Sequence, residues 1–410
     1  MITASNTYDV AIAGAGPAGT SAAIHLAKRG IRVLLLEGKK FPRAKLCGEF
    51  ISPECVAHFK KLGVAREIGS AGGARLTETN FYSRSGNKVT VPSEWFGNKA
   101  AAIGLSRAEM DLLLLERARQ VGVIVLEDAQ ASDVILNNGR VSGIRLKSAG
   151  GFREYRAGIT IDATGRSRAL ARNINKRERQ KGTPDQRRPR LVAFKVHLEN
   201  ARVAPGACEI YFYPGGYGGL SGIEGGLSNL CFIVSARDVR RSGSEPAAVL
   251  NATVLKNVRA AYTLAQARVS TDWVSVALES FGRHKLVPAE GLLMIGDAAA
   301  FIDPFTGSGM LMALESGEVV AQVISDHKDK FGLGTSFTNL SLEYGLRYSR
   351  TFDSRLRVSG LLRRAAFVPR LAEAAIICFG ASDWLRRKVA RATRPSGESE
   401  VAGSTISRQA

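Results

Sequence analysis

Apolar residues fall into two recurring arrangements along this chain: short unbroken runs, and longer stretches at helical spacing. The first run, Tyr8–Ala13 (YDVAIA), predicts a buried strand. Gly14-Ala-Gly16-Pro-Ala-Gly19 follows, then helical spacing through about Arg29, with Gly30 as its stop. Ile31–Leu36 is a second apolar strand ending at Glu37, so the opening segment predicts a βαβ unit. A similar sequence recurs late in the chain. Gly291–Ile295 is apolar, Gly296-Asp297 breaks it, and an apolar helix is expected at about Met310–Ile324. Between the two, Cys208–Tyr213, Tyr217–Glu224 and Leu227–Val234 are separated by Gly215-Gly216 and Gly225-Gly226, which predicts an antiparallel meander. A helix is expected near Glu245–Leu264. From about Ser336 the pattern is helical, with Leu361–Phe367 and Leu371–Phe379 split by Pro369.

The fold class expected is therefore α/β. A parallel-sheet βαβ domain carries an inserted, mainly antiparallel-sheet domain and a helical C-terminal tail. The nucleotide-binding part is placed at 1–70, 100–175 and 285–335, and the inserted substrate domain at 71–99 and 176–284. The helical tail is placed at 336–394, and 395–410 is expected to be disordered.

Composition narrows the class. The 410 residues are 45% hydrophobic and 23% charged, which suits a globular protein with a sizeable core. No apolar run is long enough to span a bilayer: Asp297 and Asp303 interrupt the stretch around 291–314. Met1–Asn6 lacks the features of a secretory signal, so a cytoplasmic location is expected, with a peripheral membrane contact as an option. The five cysteines are scattered without a CxxC pair, and the five histidines without HExxH. No metal site and no disulfide framework are expected. Net charge is +20, and residues 172–190 alone hold eight basic and two acidic side chains. That run has no interleaved aromatics, so nucleic acid is not an expected partner. The excess permits an anionic membrane surface or an acidic carrier protein as partner, and solvated arginine on loops and helix faces is the favoured reading.

The glycine turn carries the first chemistry. Gly14 permits the tight turn, Gly16 a close backbone approach to a diphosphate, and Gly19 close helix–strand packing. The helix N-terminus then offers unpaired N–H groups to the anion. Glu37, 23 residues after Gly14, is placed to accept from ribose hydroxyls. In the late segment, Asp297 at a strand end suits the hydroxyls of a sugar-like chain. Gly307 and Gly309 allow the backbone to approach a flat ring. The following helix points its positive end at whatever lies there.

Together, GAGPAG with Glu37, DATGRS at 162–167 and GDAAAFIDPFTGSGM at 296–310 resemble the FAD-dependent hydroxylase superfamily. That superfamily takes in p-hydroxybenzoate-hydroxylase-like monooxygenases, flavin halogenases and geranylgeranyl reductases. The resemblance covers about residues 7–330 and implies a Rossmann-type FAD-binding domain with FAD as cofactor and NAD(P)H as electron donor. It further implies that Arg107 reaches the FAD, that Ala131 contacts the adenine, and that Asp162 and Gly165 contact the cofactor or nicotinamide diphosphate. On the same grounds Asp297 resembles the ribityl ligand, and Gly309 and Met310 resemble donors to the flavin ring.

The segment Phe41-Pro-Arg43-Ala-Lys45-Leu-Cys47-Gly48-Glu49 resembles the geranylgeranyl-reductase branch, in which the cysteine lies near flavin and substrate. Arg43, Cys47 and Gly48 are accordingly assigned to the cofactor site. The meander departs from that branch: Gly219, Ser221 and Gly222 stand where it carries Trp, Phe and Pro, which implies extra room for a larger or flatter substrate. Cys47, Tyr217 and Glu224 are the candidate catalytic residues; Tyr211, Tyr213 and His197 are further candidates for the pocket. The expected function is an NAD(P)H- and O2-dependent monooxygenase of an apolar aromatic, polyketide or isoprenoid substrate, free, carrier-bound or membrane-associated. A geranylgeranyl reductase-like saturation of alkenes is the alternative. Flavin halogenation and a non-catalytic basic membrane- or carrier-binding role rank below both.

Overall fold

The computed structural model describes residues 7–96, 100–148, 151–178, 190–278, 281–328, 337–367 and 369–392. Most of the basic run at 172–190, and the expected disordered end at 395–410, lie outside the described residues.

Two sheets organise the chain. The first runs, in spatial order, Ile124–Leu126, Val33–Leu36, Thr7–Ala13, Gly151–Asp162, Arg140–Ser148, Ala131–Asn137, with Leu292–Met294 also beside Gly151–Asp162. Its central pairs are parallel, as the βαβ pattern requires, and Arg140–Ser148 pairs antiparallel on both sides. The strand interiors are continuous apolar runs because both faces are covered.

Helix Pro17–Ala27 packs on one face of this sheet against helix Gly309–Asp326. Small residues bring the two backbones together. A Cβ on Gly317 would stand 2.6 Å from the Ala18 carbonyl oxygen, and Ser21 Oγ donates to the Leu314 carbonyl at 2.8 Å. An added methyl there would overpack the contact by about 1–3 kcal/mol. This packing places the N-termini of both helices along one edge of the sheet.

The second sheet is the expected insertion. Its order is Arg268–Val269, Leu191–Glu199, Ser228–Ser235, Gly216–Gly222, Ala207–Tyr213, Glu78–Tyr82, Lys88–Pro92, with Val274–Leu278 also on Leu191–Glu199. All pairs but Ala207–Tyr213 with Glu78–Tyr82 are antiparallel. The helix expected near 245–264 is two helices, Pro246–Ala252 and Val258–Leu264. Asn257 separates them and its side chain caps the second, accepting from Arg259 N and Ala260 N.

The tail is helical as expected: Phe337–Ala366, Pro369–Gly380 and Asp383–Ala392. The first of these packs back on the Rossmann side, where the Tyr344 hydroxyl donates to the Met294 carbonyl at 2.5 Å. Among the described residues, no helix is long and apolar enough to cross a membrane.

Candidate FAD site

The diphosphate cradle is built from its glycines. Gly14 sits at φ +103°, and a Cβ there would fall 2.3 Å from the Ala163 carbonyl oxygen. A Cβ on Gly19 would fall 1.9 Å from Gly14 O, so both positions are closed by the protein itself. Gly16 differs. A Cβ there would meet only Arg107 Nη2, at 3.8 Å. Protein packing does not demand glycine at 16; a ligand approaching the backbone does. No side chain caps helix Pro17–Ala27, which leaves its first N–H groups for an anion.

Glu37 lies at the end of Val33–Leu36. Its Oε2 accepts from Ala15 N at 3.0 Å and Arg43 Nη2 at 3.1 Å, and its Oε1 from Lys39 N at 3.2 Å. Arg43 also donates to Asp111 Oδ2 at 3.1 Å. Asp111 in turn holds Arg107 through Nε at 2.8 Å and Nη2 at 2.7 Å. A buried chain Glu37–Arg43–Asp111–Arg107 thus links the ribose end of the cradle to its phosphate rim. Burial opposes the Arg107 charge, but Asp111 outweighs it and keeps the guanidinium protonated. Asp111 was not among the residues expected from the sequence, although its position four after Arg107 on helix Arg107–Gln120 was a legible signal. Ala131 begins the neighbouring strand, next to Gln130, whose side chain closes over Gly38.

The flavin-ring end forms from three other segments. Asp297 is half-buried with no hydrogen-bond partner among the described residues. Burial raises its pKa, against the nearby charges of Arg166, Arg107 and Lys45. An unsatisfied carboxylate beside the cradle fits a polyhydroxyl chain that would donate to it. Gly307 is at φ +63° in the turn before helix Gly309–Asp326, whose N-terminus lacks a side-chain cap. Met310 is buried at its first turn. A Cβ on Gly48 would meet nothing within 4 Å, so this loop faces open space. Cys47 is half-buried beside the Arg107 guanidinium, and its carbonyl accepts from Asn229 Nδ2 at 3.1 Å. The residues present therefore fit a flavin dinucleotide at the diphosphate cradle and at the ring end.

Several expected residues do other work. Asp162 spends both oxygens on its own turn, accepting from Thr164 N and Oγ1, Leu170 N and Ala171 N. It shapes the loop that carries Gly165, which is at φ +67°. Glu224, expected to be catalytic, accepts the Ser106 N–H at 2.8 Å and thereby holds the start of the Arg107 helix. Tyr211 and Tyr213 point away from the site into the core behind the second sheet, where their hydroxyls reach Glu209 and the Ile233 carbonyl. The extra room expected at the meander is absent. A Cβ on Gly219 would be 3.1 Å from Ile210 Cδ1, one on Gly222 3.3 Å from Ala74 Cβ, and Ser221 is buried. Neighbouring strands fill the space left by the missing large side chains.

Two buried polar clusters border the ring end, neither visible in the sequence. Glu49, at φ +52°, accepts from Arg107 N at 2.8 Å and His197 Nε2 at 2.7 Å, and pairs with Lys195. Burial would raise its pKa, but the His197 hydrogen bond and the Lys195 charge hold it below the ordinary value. This cluster ties the Cys47 loop to the second sheet. In the other cluster the Tyr217 hydroxyl donates to Asp303 Oδ1, which also accepts from Phe305 N at 3.0 Å. Burial, then Asp303, pushes the Tyr217 pKa well above its ordinary value, and burial raises that of Asp303.

A strand–glycine turn–helix followed by a strand ending in Glu37, and a second turn offering Asp297 and an open helix N-terminus, define a flavin–dinucleotide-binding protein. Residues 7–324 match the FAD binding domain family model, and the chain belongs to that family. It is 27% identical over 322 residues to a digeranylgeranylglycerophospholipid reductase of Methanosarcina acetivorans, covering 77% of this chain and 74% of the relative. By structure it resembles a geranylgeranyl bacteriochlorophyll reductase-like protein of Thermoplasma acidophilum, with TM-score 0.77, 21% identity, and 94% and 96% of the two chains covered. It also resembles the flavin-dependent brominase Bmp2, with TM-score 0.76, 23% identity, and 94% and 93% covered. The chain is an FAD-dependent oxidoreductase.

Proposed function

We propose that this oxidoreductase is a monooxygenase that inserts one oxygen atom into an apolar, ring-containing substrate, with NAD(P)H as electron donor. In balance, substrate C–H, O2, NAD(P)H and a proton give substrate C–OH, water and NAD(P)+. Bound FAD supplies the redox chemistry. The chain's own residues bind it, through the glycine cradle, Arg107 and Asp297, and keep water from the reacting face. Tyr217 stays protonated at neutral pH, so its hydroxyl fixes Asp303 rather than taking a proton.

The observation that carries this reading is the hollow beside the Gly307 turn, walled by Phe281, Phe301, Ile302 and Leu356 and bearing Asp303. Phe281 and Phe301 stack on each other at 4.8 Å, with Arg363 over the one and Arg166 over the other, so the hollow is walled by rigid ring edges, which suit a flat ring more than a flexible hydrocarbon chain. The test uses 2-naphthol as probe with NADPH under 18O2. Product carrying one 18O supports the reading.

Alkene saturation is the second reading, supported by Cys47 beside Arg107 and by the reductase names of the relatives. A polyisoprenyl alcohol that gains two hydrogens, with no label from oxygen in any product, would overturn the monooxygenase reading in its favour.

A further inference from the structure

Two of the five free cysteines, Cys47 and Cys231, border the junction between the Cys47 loop and the second sheet. Cys231 stands on strand Ser228–Ser235, opposite Lys195 and two residues after Asn229, so these three side chains share one face. Leu230 and Phe232 point the other way, into the core behind the sheet. The Cys47 loop docks on either side of Cys231. Lys195 Nζ donates to the Lys45 carbonyl at 3.3 Å, and Asn229 Nδ2 to the Cys47 carbonyl at 3.1 Å. Gly219, opposite Cys231 on strand Gly216–Gly222, puts no side chain beside it. Cys47 Sγ accepts from Glu49 N at 3.4 Å, and Glu49 pairs with Lys195, the cross-strand neighbour of Cys231. Both thiols are half-buried, whereas Cys55 and Cys208 are buried.

We propose that Cys47 and Cys231 are a redox-modification site, a reversible disulfide made by hydrogen peroxide that fastens the Cys47 loop to the second sheet. Peroxide from solution reaches the loop at Gly48, where a Cβ would meet nothing within 4 Å. A cation beside a thiol promotes attack by its sulfur, and Cys47 has the Arg107 guanidinium, so Cys47 is oxidised first. Its S–H and H2O2 give S–OH and water as the O–O bond breaks. The Cys231 sulfur then attacks the Cys47 sulfur. The S–S bond forms, the S–O bond breaks, and the leaving hydroxide takes the Cys231 proton as a second water. Burial, then the charge of Cys47, pushes the Cys231 thiol up to about 12, which keeps it a protonated thiol until Cys47 is oxidised. The bond adds a covalent tie to the one that Glu49 makes with Lys195 and His197. The site does not depend on which substrate the enzyme takes.

The test treats the FAD-loaded protein with hydrogen peroxide until the exposed Cys378 is oxidised, which shows that the oxidant suffices. The remaining thiols are then alkylated, and the chain is digested without reductant for mass spectrometry. A linked peptide pair joining Cys47 to Cys231, released by dithiothreitol, is the expected result. In Cys231→Ser, with bound flavin confirmed by visible absorbance, the linked pair is lost and Cys47 goes on to the sulfinic acid. Because the disulfide closes a long loop, the urea midpoint of the oxidised wild type should rise by about 1 M and return with dithiothreitol. Cys47 and Cys231 both recovered as alkylated thiols, after Cys378 has been oxidised, would overturn the proposal. So would Cys47 linked to any other cysteine, or oxidised beyond a disulfide while Cys231 stays free.

Discussion

Asp111→Asn isolates the link between stability and cofactor binding. Asp111 is fully buried and accepts from Arg43 Nη1 at 3.1 Å and from Arg107 Nε and Nη2 at 2.8 and 2.7 Å. Asparagine keeps the volume, removes the charge, and turns N–H donors toward two guanidinium groups. Arg43 retains Glu37; Arg107 loses its only ion-pair partner among the described residues. Removing one partner of a buried ion pair costs about 3–5 kcal/mol. At an m-value of about 3 kcal/mol per molar urea, the unfolding midpoint of the flavin-free protein should fall by about 1 M or slightly more. FAD affinity should also fall, by about ten- to a hundred-fold, since Arg107 is no longer aimed at the rim beside Gly16. Urea melts and flavin titration measure the two effects separately. The pair Asp111→Leu with Arg107→Met should recover part of the lost stability, because Arg107 no longer lacks a counter-charge while Arg43 keeps only Glu37, without recovering FAD affinity. An Asp111→Asn protein with the wild-type urea midpoint, or a double variant that binds FAD as tightly as wild type, would refute the reasoning.

The two cradle glycines should separate in the same assays. Gly14→Ala, forced against the Ala163 carbonyl at φ +103°, should lower the melting temperature sharply, whereas Gly16→Ala should melt within about 0.5 kcal/mol of wild type yet release its FAD. His58 gives a pH signature: burial lowers its pKa, but Glu315 and Glu318 outweigh this and raise it from 6.5 to about 9. Its folded pKa exceeds the unfolded one, so its contribution is complete below about pH 6.5 and lost as pH rises through about 9, up to about 3 kcal/mol. Urea melts between those pH values should show the decline, and His58→Gln should flatten it. Glu49→Gln should destabilise the protein by leaving Lys195 buried without a counter-charge, and Lys195→Met in the same chain should restore part of the loss; an unchanged urea midpoint for Glu49→Gln would count against the cluster.

The cofactor cradle was legible in the sequence because it is local. A tight turn, a helix N-terminus and a carboxylate one strand later are built within 31 residues, Thr7–Glu37, by backbone rules that glycine spacing announces. The α/β class followed from the same periodicities, as did the break of the tail helix at Pro369. What borders the flavin ring was not legible. Glu49 meets Lys195 and His197 nearly 150 residues on, and Tyr217 meets Asp303 across 86 residues. Nothing in the spacing of those residues marks them as partners; the packing of the second sheet against the first decides it. The glycine-rich meander shows the same limit from the other side. Its sequence implies space, yet Ile210 and Ala74 close it, because a glycine leaves room only where the neighbouring strand does not supply a side chain. Sequence by itself determined that this chain holds a flavin dinucleotide. Tertiary structure alone decided which buried charges lie beside the cradle, Glu49 with Lys195 and His197, and Tyr217 with Asp303, since burial and the pairing of distant polar groups are properties of packing.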